Sequence, residues 1–235
     1  MSLKGMTNEE KIWNYFKSKG LNDYGCAGLL GNLYAESALN PKNLQNSYEK
    51  KLKYTDEKYT EVVDNGKYKN FVKDSAGYGL AQWTYWSRKQ AMLNFAKASG
   101  KSIGDLEMQL DFLYQELSTG YKKVLKTLTS ATSVLDASNA VLLEFERPAD
   151  QSKAMQTKRA SYGEGYYAKY AIKEDKSMAE IKLDNTPDVW AKEAVDWAVK
   201  NKILFGDENG NYKLHNACTR QEMLVFLDRV YGLVK

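Results

Sequence analysis

Apolar residues recur at helical spacing through most of the chain, and no alternating run is long enough to predict a sheet. Residues 7–19 predict a first helix, with Ile12, Trp13, Tyr15 and Phe16 on its apolar side. Thr7 and Glu10 stand at the spacing of a capping box at its start. Residues 25–41 predict the most apolar helix, on which Cys26, Leu29, Leu30, Leu33 and Ser37 share one side. Asn22 or Asp23 caps it, and Asn40-Pro41 stops it. Gly25, Gly28 and Gly31 recur on this helix although each costs about 1 kcal/mol of propensity against alanine. That spacing fits another backbone coming close along the same face.

Further helices are predicted over 87–98, over 102–120 through Leu106, Leu110, Leu113 and Leu117, over 121–128 and over 133–145. A tyrosine-dense helix covers 152–170, with Tyr162, Tyr166, Tyr167 and Tyr170; such a stripe is more often packing than ligand contact. The pattern then breaks into a charged stretch. It divides the chain into a domain over 1–171, a linker over 172–185 and a helix–loop–helix domain over 186–235. In the last domain Thr219 and Glu222 form another capping box, and Met223, Phe226, Leu227 and Val230 are expected to face inward. About fifty residues make a marginal core alone, so this domain should lean on the first one or on another copy. The fold class is mainly α.

The central helix delivers one carboxylate, Glu36, in its last turn. The negative end of the helix dipole and burial among Leu and Tyr side chains both oppose its ionisation. A carboxylic acid kept neutral near pH 7 is what glycosidic cleavage requires of its general acid. The helix pattern alone favours the other reading, a solvated residue at a helix end.

Composition narrows the chemistry. The 235 residues carry 34 basic and 30 acidic side chains, a net charge of +4, and the tail from Lys176 is balanced, with nine of each. This mild excess in the first 175 residues suits an anionic bacterial wall and is too scattered for nucleic acid. No apolar run approaches a membrane span, and no secretory segment opens the sequence, so synthesis in the host cytoplasm is expected. The lone histidine, His215, cannot build a His-rich zinc site, and the two cysteines, Cys26 and Cys218, read as structural. No metal and no cofactor is expected.

Two stretches flank a polar segment. Residues 43–74 are rich in Lys, Tyr and Asn and read as a flap or irregular lobe over a groove, or as a plain surface excursion. Residues 76–88, AGYGLAQWTYWSR, place Gly77 and Gly79 around Tyr78 and then Gln82, Trp83 and Trp86. A Gly-rich turn followed by Gln and Trp can form a sugar-binding wall, since sugars lie on aromatic faces and amides fix their hydroxyl and N-acetyl groups. An aromatic core at a helix start is the competing reading for Trp83.

The motifs GNLYAESALNP (31–41), GYGLAQWTYWSR (77–88) and FERPAD (145–150), with the tyrosine-rich helix after them, resemble the phage lysozyme-like peptidoglycan hydrolases of the tail lysozyme and endolysin type. The layout is also similar to that of goose-type lysozymes and lytic transglycosylases. The resemblance implies a lysozyme-like helical domain in which Glu36 is the general acid at the β-1,4 bond between N-acetylmuramic acid and N-acetylglucosamine. It implies a groove lined by Gln82 and Tyr78, joined in this reading by Trp83, Glu146 and Tyr162, with Glu146 paired to Arg88 or Arg159. Asp74, nearest the Gly-rich turn, is the first choice for positioning water. Without such a group the substrate's own 6-hydroxyl attacks, which makes a lytic transglycosylase. The tail, with Trp190, Ala194-Val195, Gly206-Asp207 and Thr219-Arg220-Gln221-Glu222, resembles a single S-layer homology repeat. The expected partners are peptidoglycan, a secondary cell-wall polymer and a second copy of the chain, the last two through this tail. A non-enzymatic wall-binding or virion structural protein is the alternative class. Action is expected at the wall after release, or from within a virion.

Overall fold

The computed structural model describes residues 3–178, 183–208 and 210–233, and the chain divides into two compact units, Met1–Glu174 and Asp175–Lys235. Among the described residues the secondary structure is helical, with isolated bridges in place of strands, as the apolar spacing predicts.

The first unit is built around α2 (Asp23–Ser37), which packs against α1 (Asn8–Ser18), α7 (Lys122–Ser130) and α8 (Val134–Ala140). Thr7 caps α1 by accepting from the Glu10 amide, and Glu10 in turn accepts from the Met6 amide, one residue before the expected partner. Asn22 caps α2 through the Gly25 amide. The three glycines of α2 are contact points. A Cβ on Gly25 would lie 1.8 Å from the Leu128 carbonyl oxygen, one on Gly28 2.6 Å from the Ala137 Cβ, and one on Gly31 2.6 Å from the Gly163 amide nitrogen. The helix stops at Ser37, earlier than Asn40-Pro41 predicts, because Ala38 and Leu39 both take left-handed backbone.

Residues 43–74 are not an irregular flap. They hold α3 (Asn46–Leu52) and α4 (Asp56–Asp64), and Tyr59 and Phe71 enter the core with Tyr78. The Gly-rich stretch follows, then α5 (Trp86–Ser99) and α6 (Leu106–Thr119). After α8 the chain widens into a π-helix, Val141–Glu146, and then enters α9 (Lys153–Met178). The tyrosines of α9 pack on the first two helices, Tyr170 over Trp13 at 5.1 Å and Tyr167 over Tyr24 at 4.7 Å. Of the expected linker over 172–185, residues 172–178 continue α9 and residues 179–182 lie outside the described residues.

The second unit holds a 3₁₀ turn (Val189–Ala191), α10 (Lys192–Lys200) and α11 (Arg220–Leu233). Thr219 and Glu222 close the predicted capping box, with the Thr219 amide donating to Glu222 at 2.7 Å and the Glu222 amide donating back at 3.1 Å. The expected inward face of α11 is corrected. Met223, Leu227 and Val230 are exposed and only Phe226 is half-buried, because this short unit has too few elements to cover them. His215 is an exposed surface residue hydrogen-bonded to Asp184.

Candidate functional site

The crossing of α9 over α2 sets the first wall of the site. With no side chain at Gly31 or Gly163, the two backbones meet, and the Cβ of a residue at Gly31 would stand 2.7 Å from the Arg159 carbonyl oxygen. Arg159, one turn before Gly163, therefore projects beside the C-terminal end of α2. There its Nη2 donates to Glu36 Oε1 at 2.5 Å, while Nη1 donates to Glu146 Oε2 at 3.1 Å and to the Asn32 carbonyl at 3.2 Å. One guanidinium thus serves two carboxyl groups from two other elements. The Glu36 side chain keeps 20% of its surface exposed, and that of Glu146 only 4%.

Glu146 ends the π-helix. The Arg147 amide reaches back five residues to the Leu142 carbonyl, and Arg147 takes left-handed backbone. Burial, and secondly the negative charge of Glu36, push the Glu146 carboxyl up to about 8 against the pull of Arg159 and Arg88. Its Oε1 is buried without a hydrogen-bond partner. A proton on Glu146 leaves Arg159 to Glu36 at neutral pH.

The second wall is the 76–88 stretch. Tyr78 bridges to both Leu44 and Trp83, which folds the stretch into a tight loop. Gln82 sits at φ 44° and Ser75 at φ 59°, left-handed conformations that are uncommon for non-glycine residues. The Gln82 amide donates to the Asn43 side chain at 2.9 Å and its carbonyl at 3.1 Å, which staples the loop to the segment before α3. A groove of about 990 Å³ is lined by Glu36 and Glu146 together with Asn43, Gln45, Gln82 and Arg88.

The sequence-derived site residues therefore separate. Glu36, Gln82 and Glu146 come together at the groove, and Glu146 pairs with Arg159. Asp74 does not join them. Its carboxylate accepts from Lys89 at 2.6 Å, Tyr59 at 2.6 Å, Tyr68 at 3.1 Å and the Ala76 amide at 2.9 Å. Those bonds fill its acceptor sites inside an aromatic cluster and leave none to hold a water. Tyr78 is a core residue whose hydroxyl meets Thr60 Oγ1 at 2.5 Å, and it offers no face to a ligand. Trp83 is fully buried, its Nε1 donating to Glu116 at 2.8 Å, so the core reading of this residue holds. Tyr162 packs edge-on against Tyr34 at 5.0 Å and is not among the residues that line the groove.

Sequence reasoning missed the polar wall of Asn43, Gln45, Asn46 and Ser47, which carries no motif. It also missed Glu116, which clamps Arg88 through Nε at 2.7 Å and Nη2 at 2.8 Å. Arg88 lies 4.6 Å over the Phe145 ring, so this clamp ties the buried Trp83 to the π-helix that carries Glu146.

Comparison with known proteins follows the same division. The phage tail lysozyme family matches residues 7–170, and the S-layer homology domain matches residues 183–224. Morphogenesis protein 1 of Bacillus phage B103 is 27% identical over 170 residues, which is 69% of this chain and 40% of that protein. The chain thus spans well under half the length of that relative. A tail lysozyme domain supports a peptidoglycan-lytic function in general, and an S-layer homology domain supports binding of a cell-wall polymer. The matched region covers more than half of the sequence and contains both walls of the groove, so the chain belongs to the phage tail lysozyme family.

Proposed function

We propose that the first unit is a muramidase that cleaves the β-1,4 bond between N-acetylmuramic acid and N-acetylglucosamine, with Glu36 as general acid. The observation that carries this reading is the position of Glu36. It is the partly exposed carboxyl of the groove, and Arg159 fixes its orientation. Burial holds the Glu146 carboxyl well above the usual carboxylate range, so its proton stays beside Glu36 near neutrality. A glycan in the groove displaces water from around Glu36. Glu36 then protonates the glycosidic oxygen as positive charge develops on the sugar ring. Water adds to the anomeric carbon, and the proton it loses restores the acid.

A second reading has its own support. Asp74 is sealed in its aromatic cluster and Glu146 is 4% exposed, so among the described groove residues Glu36 alone offers an open carboxyl. Attack by the 6-hydroxyl of the muramic acid itself needs no second carboxylate to hold a water, and leaves a 1,6-anhydro end. Mass spectrometry of soluble fragments from purified peptidoglycan separates the two. Reducing muramic ends support the hydrolase, and fragments lighter by one water support the transglycosylase. Binding without any fragment overturns both and leaves a wall-binding protein.

The S-layer homology domain supports a further proposal, that the tail holds the enzyme on a secondary cell-wall polymer. Sedimentation of the full chain with wall sacculi, before and after acid extraction of that polymer, tests it, and equal binding to both contradicts it. The phage tail lysozyme match supports action at the wall or from within a virion.

A further inference from the structure

The 76–88 stretch carries three aromatic residues after Gln82, and the structure divides them. Trp83 is buried, whereas Tyr85 is 61% exposed and Trp86 57% exposed. They stand at the start of α5 with ring centroids 6.0 Å apart and planes at 44°. Beside them is a second cavity of about 500 Å³, lined by Val72, Lys73, Ser75, Thr84, Tyr85 and Trp86. Ser75, Thr84 and Tyr85 also line the Glu36 groove, so the two share a floor.

This continuity selects the occupant. A polymer lying in the groove and leaving it past Thr84 runs onto the two rings. Aromatic rings present broad apolar faces at little entropic cost, and pyranose rings present apolar C–H faces to match. The hydroxyls of Ser75 and Thr84 border the rings, and the exposed ammonium of Lys73 adds a cation beside them. A carboxylate on the lactyl group or peptide stem of a muramyl residue is the complementary charge. We propose that Tyr85, Trp86 and Lys73 form an outlying subsite that holds a sugar of the same glycan strand beyond the bond at Glu36, with Lys73 reading its muramyl carboxylate. The inference rests on the glycan reading of the groove.

Binding is measured on the full chain carrying Glu36→Gln, which removes turnover. Isothermal titration uses N-acetylglucosamine oligomers of two to eight sugars and muramyl-containing strands of the same lengths. Affinity is expected to rise with length past the sugars that fill the groove. Adding Trp86→Ala should cost about three- to tenfold on the long oligomers and much less on the disaccharide. Trp86→Phe should restore part of the loss, which a folding defect does not. Lys73→Gln should weaken the muramyl strands and leave the N-acetylglucosamine oligomers unchanged. Identical length profiles with and without Trp86, while all lengths still bind, overturn the subsite and leave the groove reading intact. No binding of any strand by the Glu36→Gln chain overturns the groove reading, and the subsite with it.

Discussion

Glu36 and Glu146 reach one guanidinium from two different helices, and burial makes the protonation of Glu146 depend on pH near neutrality. Loss of the Glu146 proton above about pH 8 draws Arg159 towards Glu146 and away from Glu36, so activity should fall there. Glu146→Gln cannot take up that charge. Its fall near pH 8 should be lost in a rate profile on wall suspensions, and an unmoved limb contradicts a role for the Glu146 proton. The same group has a stability consequence. Its folded value lies above its ordinary 4.5, so the folded chain keeps a proton up to about pH 8 that the unfolded chain has already released. Its contribution is full below pH 4.5 and is lost as pH rises to about 8, by about 1 kcal/mol per pH unit. Denaturant midpoints across that range should fall less steeply in Glu146→Gln. At this scale the place of Glu36 in the last turn of an apolar helix was visible in the pattern, whereas Arg159, which holds it, lies 123 residues on and carries no local signal. It misassigned Asp74, because a neighbour such as Lys89, fifteen residues on, leaves no local signature.

At the scale of elements, the fold depends on backbones that touch. On propensity alone Gly28→Ala should gain about 1 kcal/mol. In the structure its Cβ would stand 2.6 Å from both the Ala137 Cβ and the Ser138 amide nitrogen, so α8 must move. Overpacking of this kind costs about 1 to 3 kcal/mol or more, and a lower Tm in thermal denaturation is the expected sign. The lobe over 43–74 depends on its own buried pair. The Lys89 and Asp74 side chains are 0% and 4% exposed. Lys89→Met leaves Asp74 without its counter-charge and should cost about 3 to 5 kcal/mol in chemical denaturation. A loss below 1 kcal/mol would make the pair incidental. Helix periodicity and caps were legible in the sequence. The lobe was not, since its helices are short and its order comes from Tyr59, Phe71 and Tyr78 meeting around that ion pair. The Gly-rich stretch was legible as a wall but not in which aromatic faces out. Trp83 and Trp86 look alike in sequence, and only the loop geometry and Glu116 separate them.

For the whole molecule, the two units differ in how well they bury apolar surface. The first has a continuous core, whereas Val189, Trp190, Leu224 and Leu227 of the second are each more than half exposed. We propose that these faces pair with the same unit of a second copy. Light scattering on the full chain should then give a mass above 26.7 kDa that falls towards it in Leu224→Glu/Leu227→Glu. A monomer at all concentrations contradicts pairing. Apolar periodicity in the sequence breaks after residue 171, whereas α9 continues to Met178, because charged residues there keep helical backbone without an apolar face. The measurement that bears most directly on the central claim is the rate of soluble muropeptide release from purified peptidoglycan by the full chain and by Glu36→Gln, at matched wall binding. The account predicts release by the first and a loss of at least about a hundredfold in the second, the scale of one general acid. Equal release by both would contradict it.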